Sequence, residues 1–202
     1  MRIYSYIIDH DLGFAPNPFH GICTLAACKP LIRKYAQEGD IIIGTGSEPN
    51  KLAGRLSYWM RVTSISDFSE YWFSEKFRRK RPTLNGSTMQ RYGDNIYHRD
   101  PQSGEWRQAD SFHSSDDGSL SAPNLKKDTG ITDRVLISSD FAYWGGDNPP
   151  VIPDELSDFI HSTQGHRCRF AAERVAAFMS WLETIPRPPI MGRPTNWPRV
   201  AG

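Results

Sequence analysis

Hydrophobic and polar positions fall along this chain in short blocks, and each block predicts a different element. Ile3-Tyr4-Ser5-Tyr6-Ile7-Ile8 is rich in β-branched and aromatic residues and runs into Asp9-His10-Asp11, which predicts a strand ending in a polar loop. Between Gly13 and Gly21, Pro16, Pro18 and the two terminal glycines exclude regular structure, while Phe14 and Phe19 require burial or a ligand. Pro30 suits the first position of a helix and Gly39 its end, and Leu31, Ile32, Tyr35 and Ala36 supply an apolar face, so a short helix is expected over 30–38. After the Gly39-Asp40 turn, Ile41-Ile42-Ile43 predicts a continuously apolar strand, and 56–65 predicts a longer one that pairs with it antiparallel.

Farther on, Ser66, Asp67 and Glu70 offer capping groups to a short helix carrying Tyr71, Trp72 and Phe73. Residues 83–127 are polar and turn-rich, which predicts a meander with short strands at 95–98, at 105–108 and around Phe112. Arg134–Ser138 reads as a buried strand, closed by 140–146 with Phe141, Tyr143 and Trp144. Ala171, Val175, Phe178 and Leu182 recur at helical spacing until Pro186, giving an amphipathic helix over 170–185, followed by a Pro-rich tail. The blocks predict an α+β fold of one domain over 1–202, with a mixed or barrel-like β core, a few short helices and a C-terminal amphipathic helix.

Composition excludes classes more than it selects one. The 202 residues, 38% of them hydrophobic and 12% aromatic, suffice for one buried core. A mean hydropathy of −0.55 leaves a well-solvated, loop-rich surface. With 24 Lys plus Arg against 23 Asp plus Glu, the chain is no polycation. No window approaches the roughly 18 apolar residues of a membrane helix, and the first residues lack a signal-peptide pattern. A soluble cytoplasmic protein with no membrane partner is the expectation. Cys23, Cys28 and Cys168 read as reduced thiols, three being an odd count for a disulfide framework.

Several patterns carry candidate chemistry. Gly44-Thr45-Gly46-Ser47 follows an apolar strand and can offer backbone N–H groups to a phosphate or base edge, or can serve simply as a turn; it lacks the lysine of a phosphate-binding loop. Lys76, Arg78, Arg79, Lys80 and Arg81 sit next to Tyr71 and Trp72, a combination that can neutralise phosphates and stack bases, or form a solvated face. His161, His166 and Cys168, with Cys23 and Cys28 far upstream, supply nitrogen and sulfur but lack the spacing of a zinc site, so no metal or cofactor is expected and Cys168 reads as a packing residue. No Gly-x-Ser-x-Gly elbow is present, and no hydrolase triad can be assembled. Asn17 with Phe19, Asp94-Asn95 with Tyr97, and Tyr143 with Trp144 pair polar edges with aromatic faces, as a pocket for a flat heterocycle requires; core packing is the alternative.

Arg2-Ile3-Tyr4-Ser5-Tyr6, Gly13–Phe19, Cys23–Arg33, Gly39–Ser47, Gly93-Asp94-Asn95-Ile96-Tyr97 and Gly192-Arg193-Pro194, taken in order, resemble the nucleotide modification associated domain family of prokaryotes and phages, second type. The resemblance spans most of the chain and implies a role near modified nucleotides without fixing a reaction. The Gly39-Asp40 turn and the order of elements also resemble PUA-like domains such as EVE and YTH, which hold a modified base in an aromatic cage. That likeness implies a cleft lined by Gly44–Ser47, Tyr71 and Trp72, with Asn17, Asp94 and Asn95 reading the base edge. The expected function is binding of a nucleotide or modified base, in DNA rather than RNA. The alternatives are an enzyme using His113, His166 or Asp94 as proton carrier, or a protein-interaction module.

Overall fold

The computed structural model describes residues 1–186 and 189–198; part of the Pro-rich tail, at 187, 188 and 199–202, lies outside them. In chain order the strands and α-helices are β1 (Ile3–Ile8), β2 (Cys23–Leu25), α1 (Pro30–Tyr35), β3 (Ile41–Gly46), β4 (Leu56–Arg61), β5 (Ser64–Asp67), α2 (Phe68–Phe73), α3 (Thr88–Arg91), β6 (Tyr97–Arg99), β7 (Trp106–Gln108), α4 (Ala122–Thr129), β8 (Arg134–Ser138), β9 (Asp140–Tyr143) and α5 (Ala172–Thr184). Two 3-10 helices, Glu75–Lys80 and Asp154–Phe159, complete the set. They gather into two compact units: one from Met1–Leu12, Ala36–Thr63 and residues 138–202, the other from Gly13–Tyr35 and Ser64–Ile137.

The first unit is built on a four-stranded sheet in the order β1-β3-β4-β9. β1 and β3 run parallel, with Ile3 opposite Ile41, and β3 pairs antiparallel with β4 as the two apolar runs predict. Every residue of β3 is buried, which is why it shows no alternation. Gly44 has a packing cause: a Cβ there would stand 2.4 Å from Ile8 Cδ1 and 2.5 Å from the Tyr58 ring. Ile3, Ile41, Ile43, Trp59 and Trp144 share the core with Phe178 and Leu182 of α5, and Phe159 stacks on Phe170 at 4.2 Å.

The second unit holds the three-stranded sheet β2-β8-β5 and the β6-β7 hairpin. α2 starts where Asp67 accepts a hydrogen bond from the Glu70 N–H at 2.8 Å. Its Phe68 meets Tyr97 and Trp106 in T-shaped contacts at 5.5 and 5.7 Å, which ties the helix to the hairpin.

The expected strands over 56–65 and around Phe112 are corrected. The strand predicted over 56–65 is two strands in two sheets: the Val62 N–H and C=O bond Asp40 and Gly39 in a closing pair, both 2.8 Å, and β5 beyond them pairs with β8. The β core is mixed, the first of the two forms expected, and open: β1 and β9 are the ends of the sheet, each met by an isolated bridge, Ser5 to Arg167 and Tyr143 to Ile190. Phe112, expected near a strand, lies in a turn. Among the described residues no helix is long and apolar enough to cross a membrane.

Candidate active site

The second unit brings a thiol, an imidazole and a carboxylate together at the junction of β2 and α1. β2 and the buried Ala26-Ala27 deliver Cys28 to a sharp turn, in which Cys28 and Lys29 both hold left-handed backbone, φ 57° and 41°. Such conformations cost non-glycine residues on the order of 1–3 kcal/mol each and persist only where neighbours impose them. Here the Cys28 N–H donates to Asp128 Oδ1 at 2.7 Å, and Arg33 Nε donates to the Cys28 carbonyl at 2.9 Å. Pro30 then starts α1, which carries Arg33 one turn on.

Arg33 is fully buried and acts as a main-chain clamp. Its Nη1 donates to the Arg134 carbonyl at 2.8 Å and its Nη2 to the carbonyl of Asp128, while its guanidinium lies over the Phe68 ring. Burial pulls its pKa down to about 10, against the attraction of Asp128, so it stays charged at neutral pH. Asp128, in the last turn of α4, has a fully buried carboxylate. Its Oδ2 receives His113 Nδ1 at 2.7 Å and the Tyr97 hydroxyl at 3.0 Å. Burial works to raise its pKa, but His113, the Cys28 N–H and Arg33 prevail and hold it below the usual carboxylate range.

An ionised carboxylate only accepts, so His113 Nδ1 carries a proton and Nε2 faces Cys28 Sγ, 3.7 Å away. Burial opposes charge on this ring, yet Asp128 and Cys28 together raise its pKa to about 9. Asn124 Nδ2 fixes the loop by donating to the His113 carbonyl at 2.8 Å. Around the pair stand Phe14, 4.6 Å from the His113 ring centre, and Phe112, at 5.9 Å.

Sulfur, nitrogen and carboxylate ligand atoms here lie within 4.8 Å of one another, the spacing of a metal group. The same atoms are hydrogen-bonded into a relay: Asp128 Oδ2 accepts from His113 and Tyr97, Oδ1 accepts from the Cys28 N–H, and Sγ and Nε2 face each other.

Residues singled out from sequence are spread over both units. In the second unit, Asn17, Tyr71 and Asp94 converge on Lys80, whose buried Nζ donates to Asn17 O and Oδ1, Ile22 O and Thr24 Oγ1 between 2.6 and 3.1 Å. Thr24 and Tyr71 hydroxyls donate to Asp94 at 2.6 and 2.8 Å. Burial drives Lys80 down to about 8, partly offset by Asp94, and drives Asp94 up. This closed network pins the 13–22 loop to β2, so Lys80 stands apart from the exposed Lys76, Arg78 and Arg79. Asn95 Nδ2 caps the carbonyls of Tyr71 and Phe77, and Phe19 is buried beside Asn17. Trp72 stacks on His98 at 4.3 Å with Arg81 over its ring, so its π surface is engaged within the fold. Tyr97 and His113 are the members of that set that reach the Cys28 relay.

In the first unit, Gly44, Thr45, Gly46 and Ser47 are buried along and just beyond β3. The Tyr143 hydroxyl donates to Asp11 at 2.7 Å, Trp144 lies in the core, and His166 tilts against Tyr4 at 5.8 Å. Cys28, Asp128 and Arg33 fall outside the set expected from sequence. The signal available was Cys28 two residues ahead of a helix-opening proline, the place of a strand-to-helix turn. Nothing in the polar stretch pointed to Asp128. A thiol, an imidazole and a carboxylate do assemble, with cysteine where the search for a triad looked for serine.

A family model described as nucleotide modification associated domain 2 matches residues 1–200. No curated protein and no solved structure matches.

Proposed function

The chain belongs to the nucleotide modification associated domain 2 family, and on that premise we propose that it is an enzyme acting on nucleotides or nucleobases by covalent catalysis at Cys28. The observation that carries this reading is the Cys28–His113–Asp128 relay, with Sγ 3.7 Å from Nε2 and Nδ1 2.7 Å from the carboxylate. A thiol is a soft nucleophile that needs only its proton removed, and an imidazole oriented by a third group is suited to hold that proton. As Sγ bonds an electrophilic carbon, His113 Nε2 retains the thiol proton and Asp128 stabilises the imidazolium; the bond from that carbon to the departing group breaks, that group takes its electron pair and the proton, and water then takes the carbon from Sγ and gives back a proton, restoring the thiol. The clamp by Arg33 holds the backbone of nucleophile and acid in place throughout.

Recognition of a nucleotide or modified base, the expectation from sequence, is then the first step of the reaction rather than its end. The substrate is a nucleotide or a base within DNA, and the exposed Lys76, Arg78 and Arg79 are suited to contact phosphates. Catalysis by a free thiol also favours a reducing compartment such as the cytoplasm.

The test is mass spectrometry of nucleosides from DNA and from the free nucleotide pool of cells expressing the wild-type chain or Cys28→Ser. The wild type is expected to alter the abundance of at least one nucleoside, and Cys28→Ser to abolish the change. An identical profile for the two would overturn the proposal.

A further inference from the structure

We infer that Phe112 is the platform on which the substrate's base stacks, so that the Cys28 site takes an aromatic heterocycle rather than the sugar or phosphate of a nucleotide as its reacting part. This deepens the preceding proposal and rests on it. Phe112 is 52% exposed, although the residue after it is the buried His113 whose ring faces Cys28 Sγ. A half-exposed phenylalanine alone would need no explanation. This one is held: Phe14 and Tyr92 meet it in T-shaped contacts at 5.8 and 5.7 Å, and the His113 ring lies 5.9 Å away, tilted by 33°.

The bracing elements are themselves fixed. Phe14 belongs to the loop that Lys80 ties down through Asn17, and Asn17 Nδ2 donates to the Tyr92 carbonyl at 3.0 Å. His113 is anchored by Asp128 and Asn124. An apolar ring presented on a rigid aromatic frame beside a nucleophile is the arrangement that orients a flat, π-bearing substrate, because stacking sets the plane of the base while leaving its edge free. Trp72, expected from sequence to line the cleft, is already stacked on His98.

The probe is protection of Cys28 against iodoacetamide, read by peptide mass spectrometry, with thymidine monophosphate, adenosine monophosphate, a short mixed-sequence single-stranded DNA, or ribose 5-phosphate present. A base-bearing ligand is expected to slow alkylation where ribose 5-phosphate does not. Phe112→Ala should raise the concentration needed for half-protection, measured against that variant's own unprotected rate, ten-fold or more, and be largely rescued by Phe112→Tyr. Equal protection by ribose 5-phosphate, no protection by any base-bearing ligand, or undiminished protection in Phe112→Ala would each overturn the inference. None of these outcomes bears on whether His113 governs the unprotected rate, so failure of the platform and failure of the relay are told apart.

Discussion

At the scale of single residues, the site depends on how charge is distributed between two buried side chains, His113 and Asp128. His113 sits where burial alone would keep it neutral, and Asp128 reverses that, raising it to about 9 from an ordinary value near 6.5. A raised pKa means the folded state binds the proton more tightly than the unfolded chain does. The resulting stabilisation is fully present below pH 6.5 and is lost as pH rises toward 9. Wild type compared with His113→Gln by urea unfolding should therefore show an advantage that shrinks by about 3 kcal/mol between pH 6 and pH 9.5. An advantage constant with pH would contradict the charge assignment. Asp128→Asn should return the His113 titration, followed by NMR of the ring, toward 6.5 and loosen the Cys28 turn by changing the acceptor of its N–H.

At the scale of elements, the strongly patterned segments were legible and the polar ones were not. β1, the β3–β4 pair, β8 and α5 follow from apolar blocks whose periodicity survives because they line cores. α4 was invisible for a physical reason: of its eight residues only Asp128 is buried, so it has no apolar stripe to detect. β2, three residues long, is too short to carry a period. Since Cys28 follows β2 and Asp128 lies in the last turn of α4, both partners of His113 came from elements the sequence could not announce, 100 residues apart. Even the long 56–65 block misled, because its apolar and β-branched residues continue across the point where Val62 leaves the sheet for the Asp40 turn. The glycines of Gly44–Ser47 leave a ligand and a turn both open in the sequence, and at Gly44 the close packing of Ile8 and Tyr58 supplies a structural cause. Gly44→Ala should cost roughly 1–3 kcal/mol through overpacking, measured by chemical denaturation; a neutral effect would show that Tyr58 can move aside.

At the scale of the whole molecule, one chain passes back and forth between two compact units, and the relay, the Lys80 network and the exposed cations all belong to the one assembled from Gly13–Tyr35 and Ser64–Ile137. Net charge is close to neutral, so any attraction to nucleic acid must come from a local patch. Replacing Lys76, Arg78 and Arg79 together with Gln should lower the slope of log affinity for single-stranded DNA against log salt by up to about 2, at roughly 0.7 per phosphate contact. An unchanged slope would remove that patch from the binding surface. The central claim is that His113 and Asp128 activate Cys28, and the most direct measurement is its alkylation rate at neutral pH beside that of Cys168, which is comparably half-buried. The account predicts that Cys28 reacts at least ten-fold faster than Cys168 in the wild type, and that Asp128→Asn and His113→Ala erase the difference while Cys168 is unaffected. Equal rates for the two thiols in the wild type, or a Cys28 rate untouched by both substitutions, would contradict it.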